Sequence, residues 1–180
     1  MIELSTIRDL VTIFGVIAGF SYYVLTVRNA QKARQSTMLS HLHESKHNLE
    51  NTRAYFNIIT REWTDFDDYV EKYGGWTNPE QAAILETQMS HMEGLALLIK
   101  DKTIDFNSVY RMMGRRIITY WVKCETIIKG LREMELGPGP DYCSYFEEMA
   151  IMMMKKRKKE NLPLYSELLH PTSTLNLDNL

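Results

Sequence analysis

The sequence predicts an all-α protein, in which an N-terminal transmembrane helix continues into a stalk and then into a cytosolic helical bundle. Three observations support this fold class. Residues 10–27 form one uncharged apolar stretch, apolar residues then recur at helical spacing, and Gly and Pro are sparse, at 9 and 5 of 180 residues. Alternating strand patterns and internal repeats are not evident.

The first element is the stretch from Leu10 to Val27, eighteen residues without a charge. As a helix it is about 27 Å long, close to the thickness of a bilayer core. A cleaved signal peptide and a buried core helix are the alternatives, but Ala-x-Ala does not follow the stretch. Gly15 and Gly19 form a Gly-x-x-x-Gly pair, a pattern that favours self-association of membrane helices.

The flanks of this stretch predict its orientation. Arg28, Lys32 and Arg34 follow it, and an acidic residue first appears at Glu44. Because positive flanks stay in the cytoplasm, we expect a cell-membrane protein with its N-terminus outside and its C-terminal domain cytoplasmic.

A juxtamembrane stalk helix is predicted over residues 28–63. Leu42, Leu49, Phe56 and Trp63 are spaced seven apart and indicate a seam along one side of the helix. Residues 64–159 are predicted to form the cytosolic bundle, and residues 160–180 a flexible tail.

Capping residues divide the bundle into helices. Thr64 with Asp67 predicts one helix start, Asn78 before Pro79 a second, and Asp105 a third that runs to about Glu135. The Gly-Pro-Gly-Pro run at 137–140 predicts a loop, and a last helix is expected over about 141–159.

Candidate sites are few, and the sequence predicts no catalytic residue and no cofactor. His43 and His47 lie four apart with Glu50 nearby, which is a weak metal pattern because zinc needs three or four ligands. Cys124 and Cys143 are expected to be buried thiols on helices.

Three arginines, Arg111, Arg115 and Arg116, cluster on one predicted helix. A structural ion pair of Arg115 or Arg116 with Glu93 is the favoured interpretation, and a ligand site is the alternative. A helical nuclease of the HEPN type would place a His five residues after an Arg, where Trp121 follows Arg116. Residues 62–101 carry nine acids against two lysines, so nucleic acid is not an expected partner.

A basic run ends the last predicted helix. Cations there favour the helix dipole, and they are also candidates, with Arg28, Lys32 and Arg34, for contacts with anionic lipid headgroups. The run consists of Lys155, Lys156, Arg157, Lys158 and Lys159.

Several segments together resemble an uncharacterised family of archaeal and bacterial membrane-anchored helical proteins, a domain of unknown function, over about residues 10–155. They are Thr26–Lys32 after the span, the His-Met-Glu-Gly-Leu segment at 91–95, Ile104–Gly114, and the segment at 116–121 that ends in Tyr-Trp. The resemblance implies the topology and the helical fold, but no activity and no catalytic residues.

These observations predict a self-associating, membrane-anchored helical scaffold or interaction module, with the lipid bilayer and another membrane protein or a second copy as partners. An oligomeric membrane effector or pore with a degenerate HEPN-like domain is the first alternative, on architectural likeness alone. A nucleic-acid-binding or nucleotide-binding enzyme that uses the three arginines is the second.

Overall fold

The computed structural model describes residues 4–163, and within this range all regular structure is helical. The predicted all-α class is therefore confirmed. The six helices of the described range are α1 Leu4–His47, α2 Leu49–Ile59, α3 Phe66–Tyr73, α4 Pro79–Lys100, α5 Phe106–Glu133 and α6 Ser144–Lys159.

The chain divides into two compact units, residues 1–41 and residues 42–180. The described part of unit 1 is a single helix. Its most apolar window of 18 residues is long enough to cross a membrane, and none of that window is buried. A core helix would be buried, so the structure leaves a membrane span or a signal sequence as the two interpretations of this helix.

Helix α1 ends at His47, whereas the sequence predicted one continuous helix as far as Trp63. Asn48 has extended backbone angles, and its side chain accepts a hydrogen bond from the Glu50 amide, so it caps a new helix. The predicted seam does not persist through this break. Leu49 and Phe56 are more than half exposed, whereas Trp63 is buried.

The predicted caps of the bundle are mostly where the sequence placed them. Asn78 accepts from the Gln81 amide at the start of α4, and Asp105 accepts from the Ser108 amide at the start of α5. At α3 the prediction is wrong by one residue. Asp65, rather than Thr64, is the N-cap and accepts from the Asp68 amide at 2.9 Å.

Helices α4 and α5 form the centre of unit 2, because α2, α3 and α6 each pack against both of them. Many apolar residues of α5 are buried, and burial extends all round this helix between Ile117 and Cys124. Phe146 and Met149 of α6 complete the core. The described part of the predicted tail, 160–163, has no regular structure, and 164–180 lie outside the described residues.

Candidate functional site

A basic cleft with a volume of about 400 Å³ lies in unit 2. It lies where the start of unit 2, the first half of α5 and the last turns of α6 meet. The lining residues are Lys46, His47, Thr52, Tyr55, Phe56, Tyr110, Arg111, Met112, Met113, Gly114, Arg115, Arg116 and Arg157.

One wall of the cleft is held in place by reciprocal contacts between α5 and the break at Asn48. The Arg116 guanidinium donates to the carbonyl oxygens of Lys46, at 3.3 Å, and Asn51, at 2.7 Å. Lys46 in turn donates from Nζ to the Met112 carbonyl at 2.8 Å. Carbonyls in the last turn of a helix have no partner within the helix, so Arg116 satisfies the Lys46 carbonyl at the end of α1 and also holds α2 through Asn51.

Aromatic rings support the same guanidinium. Arg116 lies 4.5 Å from the ring centre of Tyr55 and 5.9 Å from that of Tyr120. Burial raises the pKa of the Tyr120 hydroxyl, which lies 3.2 Å from the Gln88 side-chain oxygen and donates to it. The hydroxyl is therefore neutral at physiological pH, and Arg116 is held by the ring face and by main-chain oxygens.

The structure brings the three arginines of the sequence cluster to one cleft and adds two cations from distant parts of the chain, Lys46 and Arg157. The basic run therefore contributes one of its members, Arg157, to the cleft. Its neighbour Lys156 forms an ion pair with Glu160 at 3.1 Å and lies 5.2 Å from the ring centre of Tyr110. Sequence spacing alone gave no sign that the run and the cluster converge.

Glu93 has a different role in the structure. Its carboxylate accepts hydrogen bonds from the amides of Tyr145, at 3.2 Å, and Phe146, at 2.6 Å, in the first turn of α6. Cys143 precedes that turn in a left-handed conformation, and its side chain does not cap the helix. Glu93 of α4 thus caps α6 from another helix, a contact that tertiary packing creates.

The histidine candidates lie close together, with a distance of 4.5 Å between the ring centres of His43 and His47. Glu50 belongs to α2, beyond the break at Asn48. Within residues 4–163, His, Cys, Asp and Glu side chains do not form any group of three or more that could hold a metal ion.

Two buried cations, Arg61 and Lys123, were not among the residues selected from the sequence. Arg61 donates to the side-chain oxygens of Asn57 and Gln81, and Lys123 donates to the Arg61 carbonyl at 2.5 Å. Lys123 Nζ also lies 4.0 Å from the ring centre of Trp63, and burial lowers the pKa of both cations. Residues 117–122 place mostly apolar side chains on every side of α5. This pattern is the sequence signal that the adjacent Lys123 is buried.

Both cysteines are buried, as predicted, although Cys143 lies just before α6 rather than within a helix. Burial raises the pKa of each thiol to about 12. Neither residue is therefore a thiolate near neutral pH, and neither has the property of a reactive nucleophile.

A comparison of the chain with protein-family models found a family match. The domain of unknown function DUF4760 matches residues 9–153. The chain belongs to the DUF4760 family. The predicted membership in a family of unknown function is thus confirmed, and the DUF4760 match spans the apolar part of α1, helices α2–α5 and most of α6. It stops before the basic run, and no curated protein and no solved structure matches this DUF4760 chain.

Proposed function

We propose that this DUF4760 protein is a membrane-anchored helical interaction module that associates with a second copy of itself through its N-terminal helix. The observation that carries the proposal is the exposure of the apolar stretch of α1. Phe14 and Phe20 are each 68% exposed, and the other large apolar residues of the stretch are exposed as well. Soluble proteins rarely leave a contiguous apolar surface of this length in water, whereas a bilayer stabilises it.

The polar side chains of the stretch suit a lipid environment. The hydroxyl of Thr12 donates to the carbonyl of Arg8, and that of Thr26 donates to the carbonyl of Tyr22, each at 2.9 Å. These hydroxyls find acceptors in their own helix and need neither water nor a pore lining. This supports a simple anchor over the alternative of a pore-forming effector.

We assign self-association to the face of α1 that carries Gly15 and Gly19. A side-chain carbon built at either glycine meets nothing within 4 Å, so this face of the helix is open to the close approach of another backbone. The stalk seam supports association less well than the sequence suggested, because the break at Asn48 interrupts it.

Orientation follows from charge. Arg28, Lys32 and Arg34 are exposed directly after the stretch, and they would remain in the cytoplasm beside anionic headgroups. Unit 2 is then cytoplasmic. A catalytic role of the HEPN type has less support, because no Arg in the sequence is followed by a His five residues later.

The anchor is tested by membrane flotation after an alkaline carbonate wash. The full chain is expected to float with the lipid, and recovery in the supernatant would refute the anchor. Self-association is tested by energy transfer between labelled copies in phosphatidylcholine vesicles. Gly15→Leu with Gly19→Leu should abolish the transfer, because the added side chains separate the backbones.

Ser21→Leu is the matched control. At about 100° per residue it adds a leucine on the face of α1 roughly opposite the two glycines. Energy transfer should persist in this variant. Transfer that survives in the glycine variant, or is absent from the parent chain, would contradict self-association through this face.

A further inference from the structure

We infer that the basic cleft of unit 2 binds a small phosphorylated ligand of about mononucleotide size. The inference is independent of the membrane anchor and of self-association. It depends on the charge, shape and support of the cleft.

The charge of the lining is one-sided. Lys46, Arg157 and the three clustered arginines contribute cations, and none of the described lining residues is Asp or Glu. A concave surface lined by one sign of charge concentrates the field and attracts a counter-charge, here an anion.

The residue types favour phosphate among anions. A guanidinium presents a planar fork of N–H donors that matches phosphate oxygens, and the cleft offers four of them with one ammonium group. The cleft is also built in advance, because Arg116 and Lys46 are fixed by main-chain contacts on both walls.

The volume and the aromatic lining define the rest of the ligand. A volume of about 400 Å³ lies at the small end of the range of ligand pockets, roughly 300–1,000 Å³, which suits one nucleotide rather than a polymer. Phe56 lines the cleft and is 56% exposed, and its ring offers a planar apolar surface to a base or another flat group.

The same phosphate chemistry has two sources, a soluble nucleotide or the phosphomonoester headgroup of a lipid such as phosphatidic acid. The experiment uses the full chain in nanodiscs of pure phosphatidylcholine, titrated calorimetrically with ATP, AMP and inorganic phosphate. A second arm uses discs that also contain phosphatidic acid, and the thermal stability of the chain is compared between the two kinds of disc.

The test variant is Arg111→Gln with Arg115→Gln, both on the exposed side of α5. Loss of charge-assisted hydrogen bonds to phosphate should weaken binding about 10–100-fold. Arg53→Gln with Lys102→Gln is the control, since it removes the same charge from exposed residues outside the lining. Both variants should retain the helical circular dichroism of the parent.

Nucleotide binding that falls in the test variant and persists in the control supports a soluble ligand. Stabilisation by phosphatidic acid alone, with the same dependence on the variants, supports the headgroup. The inference is overturned if no probe binds and phosphatidic acid has no effect, or if the two double variants lose binding equally.

Discussion

The cap that Glu93 provides for α6 leads to a quantitative prediction. Glu93→Ala removes the acceptor of two first-turn amides, and the amide of the fully buried Phe146 has no access to water as a substitute. Cys143, at the start of this helix, offers no side-chain cap in compensation. The loss of a cap that involves a charged acceptor should cost about 2–3 kcal/mol in the free energy of unfolding.

The assay is thermal unfolding followed by circular dichroism, with the full chain in detergent micelles. For a folded unit of this size, each kcal/mol shifts the melting temperature by about 3–4 °C, so Glu93→Ala should melt about 6–12 °C lower. Glu93→Gln should recover part of the loss, because its amide oxygen can still accept from one of the two N–H groups.

Glu148→Ala is the matched control. It removes a carboxylate whose ion pair with Lys100, at 3.0 Å, is about half exposed on both sides. Such a pair contributes at most about 1 kcal/mol. If the melting temperatures of Glu93→Ala and Glu148→Ala agree within about 2 °C, the capping argument is refuted.

Three further predictions concern packing, pH and the cleft wall. Gly130→Ala should cost about 1–3 kcal/mol in urea unfolding because its methyl group would collide with the Phe66 ring, whereas Gly94→Ala should stabilise α4 by about 0.5–1 kcal/mol. Above pH 9 the free energy of unfolding should fall, because burial raises the pKa of the Cys124 thiol from 9.0 to about 12. The stability that this buried neutral thiol contributes is fully present below pH 9 and is lost as pH rises toward 12. About 1.4 kcal/mol of it should be lost at pH 10. Arg116→Gln should lower the free energy of unfolding by about 1–3 kcal/mol, because the Lys46 and Asn51 carbonyls lose the hydrogen bonds that the guanidinium donates.

Each of these predictions has its own check. Phe66→Leu should restore part of the stability lost in Gly130→Ala, and no recovery would argue against that collision. Cys124→Ala should flatten the fall in melting temperature measured between pH 8 and 10, and an unchanged fall would exclude this thiol as a cause. Arg53→Gln, which removes an exposed charge, should leave the free energy of unfolding in urea unchanged. If Arg116→Gln also leaves it unchanged, the role of Arg116 at the break is contradicted.

Local patterns in the sequence were sufficient for the helical class, the apolar stretch of α1, and the starts of α4 and α5. In each case a capping side chain or a run of apolar residues acts within a few positions of itself, so the information is in the sequence. The break at Asn48 was missed for a related reason, since an Asn in a helical pattern can either continue the helix or cap a new one.

Three features arise only when helices distant in sequence pack together. They are the convergence of Lys46 and Arg157 on the three arginines, the cap from Glu93 and the burial of Lys123. Their partners are largely main-chain amides and carbonyls, groups that every residue carries, so no residue type marks them in advance. Which of those groups is left without a helical partner depends on where each helix ends in three dimensions. The sequence therefore determined the helices of this DUF4760 protein, and their packing decided which charged side chains form its cleft.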